Sequence, residues 1–440
     1  MKPLLLTAGW LALCCTQALG AQNDTWPLSL AEAQAIALER NHDLQLARTA
    51  ISSAQANIES AGAAPNPSLT ISTSSISTAN GGGGGLRTRP IDTVLHVDQL
   101  IERGGKRELR RENAEYLAQA AQSDYSDLGR QLRALVAQTY ADLKLAQDRR
   151  SAAQDNLRLL DAMLSAAQIR KKAGDIAGAD VERVRVDALR ARNDVSAAEG
   201  DLARARRSLG LLLGIADHVD QLEAIDPWPE LALPQPLSGK ALDELISRRA
   251  DVRAAMSRIE AADAGSRLAQ SLRTRDVTVG MQYEHFPQPG DPNNSNGNSV
   301  GFSVQLPLFT RYYYKGEILA AEAARTASQQ ALLRTRAIAE TEISTAWSSV
   351  LAAAERVKRN RDELLVAAEK AADAAEYAYR NGAVGVMDVL DARRTLRATR
   401  LDALAAQAEL SKAWAAWQAA MDAPAASARD AQPISQESRE

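Results

Sequence analysis

The chain has 440 residues, with 52 Lys+Arg against 55 Asp+Glu and a formal net charge of −3. That balance excludes a nucleic-acid binder built on basic excess and a chain with a long acidic solvating tract. Aromatics are only 4% and alanine dominates the apolar fraction, which favours long helices in close contact through small side chains. The two cysteines, Cys14 and Cys15, are adjacent, so no disulfide framework, zinc ribbon or CxxC pair can form.

In chain order, Lys2, the apolar stretch Leu4 to Leu13 and the small residues at Ala18 and Gly20 read as a secretory signal peptide over residues 1–20. Acylation of Cys14 or Cys15 is the alternative, disfavoured by the bulky Leu13 and by Cys14, which stand where a small residue is preferred. The chain is exported on either reading. No later run of 18 or more apolar residues occurs, so a membrane contact after residue 20 has to be made by β-strands, whose signal is weaker.

The rest of the chain says one thing twice. Gly174 matches Gly382 and Asp180 matches Asp388 at the same spacing that relates Asp43-Leu44 to Asp251-Val252 and Leu69-Thr70-Ile71 to Val277-Thr278-Val279. A self-match held over turns, strands and helices marks two copies of one unit. The spacing divides the chain into a first repeat at 21–226, a Pro-rich linker at 227–238, a second repeat at 239–422 and a flexible tail at 423–440.

Each copy opens on a helix, over Ser29 to Ala63 in copy one, where Ser29 and Glu32 form a capping box. A hairpin follows at 68–101, around the glycine run 81–85, and at 276–309, around the polar Pro287 to Asn298 loop. The glycine run lacks the GK[ST] and helix start of a phosphate cradle, and reads as a loop. Next comes a proline-free helix at 106–173, about 100 Å long at 1.5 Å per residue, matched by one running to about 380. Closing helices span 180–213 and 388–420. Their apolar seams, Val181, Val184, Ala188, Ala191 in one and Val389, Ala392, Leu396 in the other, alternate three and four in coiled-coil fashion. The opening and closing helices together match the long helix in length, so each copy folds as a rod of two helical strands with a hairpin at one end.

Two strands are unstable in water, and their open edges are forbidden in a bilayer. Four strands per chain cannot close a barrel, so several chains have to share one. Aromatics, including all three phenylalanines, gather at Tyr283 to Tyr314, as in the interfacial girdle of an outer-membrane barrel.

With these elements in hand, the chain resembles the TolC family of outer-membrane efflux channels over about residues 27 to 422. The residues that carry the likeness are Tyr379-x-x-Gly382 followed by Asp388-Val389-Leu390-Asp391-Ala392, the duplicate Gly174 and Asp180, and Leu306-Pro307-Leu308-Phe309. The return Ile101-Glu102-Arg103-Gly104-Gly105-Lys106-Arg107 resembles the cobalt–zinc–cadmium (CzcC-like) branch. The family implies a mainly α, tandem-repeat fold: a long coiled-coil helical barrel whose two hairpins contribute to a trimeric outer-membrane β-barrel of about 12 strands.

The resemblance implies a passive exit duct of a tripartite efflux system, with a periplasmic adaptor and an inner-membrane RND-type pump as partners, outer-membrane lipid around the barrel, and no nucleic acid. Alternatives are a periplasmic adaptor or structural coiled-coil protein, and a drug or type I secretion channel of the same family. The turns at Ala173–Gly178 and Asn381–Gly385, with Gly174, Asp175, Gly178, Gly382, Val384 and Gly385, are expected to meet the adaptor. Asp180, Tyr379, Asp388 and Asp391 are expected to form the gate. Asp388 and Asp391 share one helix face and would form carboxylate rings under threefold symmetry. The family implies that Tyr379 hydrogen-bonds Asp180. A basic residue that helps lock the turn in the best-known member is Val384 here, so fewer polar bonds or apolar packing are expected to hold the gate.

No Ser-His-Asp order, nucleotide loop or metalloprotease helix appears, so the chain is read as a non-enzyme without cofactor. His42, His96, His218 and His285 each lack a second ligand at metal spacing, and no metal site is expected.

Overall fold

The computed structural model describes residues 25–74, 92–230, 239–286 and 297–421. The signal peptide, the glycine run at 81–85, most of the Pro/Asn loop, the linker beyond residue 230 and the tail at 423–440 lie outside the described residues. Copy one contains β1 (Trp26–Leu28), α1 (Leu30–Arg40), α2 (His42–Gly62), β2 (Ser68–Ser74), β3 (Asp92–Ile101), α3 (Lys106–Ala173), α4 (Gly178–Leu213) and β4 (Leu222–Ala224). Copy two contains α5 (Lys240–Arg248), α6 (Ala250–Ser271), β5 (Val277–Phe286), β6 (Gly297–Gln305), α7 (Lys315–Arg359), α8 (Leu365–Arg380) and α9 (Val386–Met421). A π-helical stretch, Asn360–Leu364, joins α7 to α8.

The core is a set of long antiparallel helices rather than a globule. In copy one α2 and α4 run along α3, and in copy two α6 and α9 run along α7 and α8. The copies are joined through α3, which also packs against α6 and α9. Val181, Val184, Ala188 and Ala191 of the α4 seam are buried, as are Val389 and Leu396 of α9. The many buried alanines allow the backbones to approach closely.

The opening helix departs from the expected unbroken run of 29–63. It divides at Asn41, whose φ of −61° and ψ of 128° are extended. The Asn41 side chain explains the break. Its Oδ1 accepts from the N–H groups of Asp43 and Leu44 and so caps α2. Its Nδ2 donates to Leu212 O, 3.0 Å away, at the end of α4. Copy two breaks at the equivalent residue, Arg249. Its guanidinium is wholly buried and donates to Ala420 O, the carbonyl equivalent to Leu212 O, as well as to Asp251 and Glu342. Both joints thus satisfy a carbonyl at a helix C-terminus, a group left without an intrahelical partner. Gly214 closes the first joint: a Cβ there would stand 2.5 Å from Arg40 O.

A second departure is the parallel pairing of β1 with β4, three-residue strands too short to register as a pattern in the sequence. They cover Tyr140, whose hydroxyl donates to Leu28 O at 2.8 Å and whose pKa burial pushes up to about 12. Trp26, Leu28 and Leu222 close this end of the core over Val136 and Leu143.

The two hairpins do not stand apart. β3 pairs with β5, giving one antiparallel sheet in the order β2-β3-β5-β6. The register sorts its faces. One face carries the ladder Leu69–Val97–Met281–Phe302 and, beside it, Ile71–Leu95–Tyr283–Val300. The opposite face carries Ser68–Asp98–Gly280–Ser303 and Thr70–His96–Gln282–Gly301. The apolar face has no protein cover: Phe302 is 80% exposed, Val304 66% and Leu69 62%. On the polar face His96 Nε2 and Asp98 Oδ1 lie 2.7 Å apart, and Gln282 donates to Glu284. Gly280 makes room for this cluster, since a Cβ there would come within 2.6 Å of Asp98 Oδ1.

Candidate functional site

Such a sheet is a stave. Its bare apolar face suits hydrocarbon, and its polar face suits a water-filled lumen, in the alternation of transmembrane β-barrels. The edges of β2 and β6 have no partner strand among the described residues. No described helix is long and apolar enough to cross a membrane. No group of three or more His, Cys, Asp or Glu among the described residues could hold a metal ion.

The far end of the rod is built by two helical turns. α3 ends at Gly174, whose φ is +86°; the N–H groups of Gly174 and Asp175 donate to Lys171 O and Arg170 O. α8 ends in the same way at Gly382, with φ +75°, as Gly382 and Ala383 donate to Tyr379 O and Ala378 O. This is the Schellman closure, which needs a left-handed residue and therefore selects glycine. α4 starts after Ala177 and α9 after Gly385, so each turn reverses the chain within a few residues.

The expected gate residues lie around these turns, with partners the sequence did not indicate. The Tyr379 hydroxyl accepts from Arg170 Nη1 at 2.9 Å, and the Arg170 guanidinium lies 5.2 Å from the centre of the Tyr379 ring. Within the chain Tyr379 is thus held by Arg170 rather than by Asp180, which pairs with Arg183 at 3.3 Å. Asp388 Oδ2 accepts from Gly385 N at 3.0 Å and caps the first turn of α9. Asp391 pairs with Arg394 at 2.8 Å. Val384 lies in its loop, and Gly178 is the first residue of α4.

The strongest link between the copies here is one that sequence reasoning missed. Arg394 of α9 donates to both oxygens of Asp187 on α4, at 2.9 and 2.7 Å. Asp187 is 8% exposed, and Arg394 is held above its ordinary pKa chiefly by this bond. One heptad along, Arg397 donates to Asp194 at 2.6 Å. Between the ion pairs and the turns, Leu390 packs into Leu160, Val184, Ala188 and Ala191. On α8, Glu376 bridges Arg393 and Arg380; the Arg393 hydrogen bond, ahead of a smaller opposing desolvation, sets its pKa below the usual carboxylate value. A usable signal did exist: Asp187 and Asp194 are seven apart and flank the α4 seam, where coiled coils place interhelical charges.

The family model for outer membrane efflux proteins matches residues 35–215 and 241–422, nearly all of both repeats. The chain belongs to the outer membrane efflux protein family. Among curated relatives of this efflux protein is the cobalt-zinc-cadmium resistance protein CzcC of Cupriavidus metallidurans, 26% identical, with 81% of each chain covered. Another is the pyoverdine export outer membrane protein OpmQ of Pseudomonas putida, 26% identical over 86% of this chain and 83% of the relative. The fold is similar to that of CusC, with a TM-score of 0.76, 21% identity, and coverage of 93% of this chain and 95% of that one. This efflux protein is an outer-membrane exit duct of a tripartite system. Its sheet belongs to the membrane and its helical rod to the periplasm.

Proposed function

We propose that three copies of this efflux protein close one barrel of twelve strands and conduct heavy-metal cations outward, receiving them from an inner-membrane RND-type pump through a periplasmic adaptor. The observation that carries the reading is the four-stranded sheet itself, bare and apolar on one face, polar on the other, and open at both edges. Only joining of edges satisfies its backbone inside hydrocarbon. Cation cargo is supported by the likeness to CzcC and by Asp98 and Glu284 on the polar face, since acidic linings concentrate cations. The likeness to OpmQ favours a second reading, siderophore export. Deletion of the gene tests both. Metal efflux requires lower tolerance to cobalt, zinc or cadmium; unchanged tolerance with loss of an exported siderophore selects the second reading.

The turn end is the proposed gate and docking surface. Gly174, Asp175, Gly178, Gly382, Val384 and Gly385 present compact loops to the tips of adaptor helices. Asp388 and Asp391 supply carboxylates to the axis, and Tyr379 with Arg170 ties the two turns together. The Asp187–Arg394 and Asp194–Arg397 pairs tie α9 to α4 across α3 and resist its outward swing. Cysteines introduced at Asp175 or Val384 should crosslink to an adaptor in intact cells. Capture only of other copies of this chain would remove the docking assignment.

A further inference from the structure

We infer that the periplasmic rim of the barrel on copy two is a binding site for anionic phospholipid headgroups. The apolar outward band does not stop at the end of β6. It runs on from Phe302 and Val304 through Leu306 and Leu308, the last 73% exposed, and ends among Phe309, Tyr312 and Tyr313. Arg275 lies just before β5, and its guanidinium stands 5.4 Å from the centre of the Phe309 ring. Phe309 is itself held edge-on by Tyr314 at 5.3 Å. A guanidinium held over a ring at the foot of a lipid-facing strand stands at the depth where headgroups lie.

The charges there are unbalanced. Arg273, Arg275 and Arg311 are exposed, and none has a carboxylate partner among the described residues. The nearby carboxylates are already engaged. Asp276 holds Lys106, Glu102 holds Arg110, and Glu317 accepts from Tyr312. The segment leading into and along the free β2 edge, residues 61–74, contains no Asp or Glu and so brings no carboxylate to this rim. Basic side chains stranded beside an apolar band and an aromatic rim find their counter-ions in lipid phosphates. The occupant is therefore a phospholipid with net negative charge, in the leaflet that faces the periplasm.

Native mass spectrometry of the detergent-purified full-length oligomer, with dioleoyl-phosphatidylglycerol or dioleoyl-phosphatidylcholine added, tests this. The oligomer should retain phosphatidylglycerol in preference, and retention should fall as ammonium acetate rises from about 0.05 to about 0.5 M. Arg275→Gln with Arg311→Gln should weaken retention about thirty-fold, from two headgroup charges lost. Arg275→Lys with Arg311→Lys should keep most of it. Equal retention of the two lipids, insensitivity to salt in the unaltered protein, or equal loss in the Gln and Lys variants would each overturn the assignment. The salt and lipid comparisons need no variant, so they stand even if a substitution blocks assembly.

Discussion

Removing Arg394 is the sharpest test of the proposed gate. Asp187 is buried and receives two charge-assisted hydrogen bonds from this one guanidinium. Stranding a fully buried carboxylate costs about 3–5 kcal/mol. Arg394 is itself about half exposed (49%), so solvent screens the pair and the lower part of the charge-assisted range applies, about 2 kcal/mol per protomer. If the bond exists only when α9 lies against α4, three protomers together lose about 6 kcal/mol of closing free energy. That exceeds the ~5.5 kcal/mol that carries a two-state equilibrium from 1:99 to 99:1. Arg394→Ala should therefore convert small, rare openings in planar bilayers into a sustained high conductance. Arg394→Lys, which keeps the charge but cannot serve Asp187 through one nitrogen and Asp391 through the other, should fall between. Exchanging the charges with Asp187→Arg and Arg394→Asp should restore closure in part. If Arg394→Ala leaves conductance and open probability unchanged while the oligomer is intact, α4 and α9 do not separate in gating and the pair is only structural.

Other tests probe the joints, the membrane face and pH. Arg249→Ala leaves the partly exposed Asp251 and Glu342 without their partner and should cost about 2–3 kcal/mol, read as a lower melting temperature of the oligomer; Asn41→Ala, which removes a cap, should cost about 1 kcal/mol. Phe302→Arg, on the bare face, should cost about 2–4 kcal/mol and reduce the assembled fraction in the outer membrane, whereas Ser303→Arg, on the polar face, should assemble and alter conductance. Burial is the largest single influence on Asp251 and raises its pKa, but the Arg249 hydrogen bond and charge, the Val252 N–H and the Arg130 charge together outweigh it and hold the pKa low; Glu376 is held low chiefly by Arg393. A carboxylate with a depressed folded pKa stabilises above its unfolded value, about 4, and loses that contribution as pH falls through the folded value. Stability should therefore be flat from about pH 6 to 8 and fall below about pH 4; a decline already at pH 6 would show that other groups dominate.

The rod was legible because its signals are local and repeated. Proline-free stretches, three-four seams and paired glycines each act within a few turns of helix, and the duplication prints them twice. The membrane sheet was legible as alternation in β3, β5 and β6. What the sequence hid depends on contacts between distant segments. Asn41 reads as a tolerable helix residue until Leu212 O is seen to need a donor. Arg249 looks like a surface arginine until its three acceptors converge on it. Tyr379 looked bound for Asp180, and Arg170, in the last turn of α3, reaches its hydroxyl instead. The Asp187–Arg394 pair joins residues on different copies, and only the packing of both α4 and α9 against α3 brings them within reach. The β3–β5 seam is of the same kind, since neither strand's pattern names its partner.

The sheet order has a further consequence in genetics. β2, β3, β5 and β6 alternate in direction, and the number of strands per chain is even. The β6 edge of one copy can therefore receive the β2 edge of the next in antiparallel sense, with no parallel seam anywhere around the ring. Every junction then lies between two separately synthesised chains, and one defective edge opens the whole ring. With three copies, a cell making sound and edge-defective chains in equal amounts keeps only about one ring in eight free of the defect. Edge substitutions in this protein should accordingly behave as dominant alleles, and substitutions confined to the core of one rod as recessive ones.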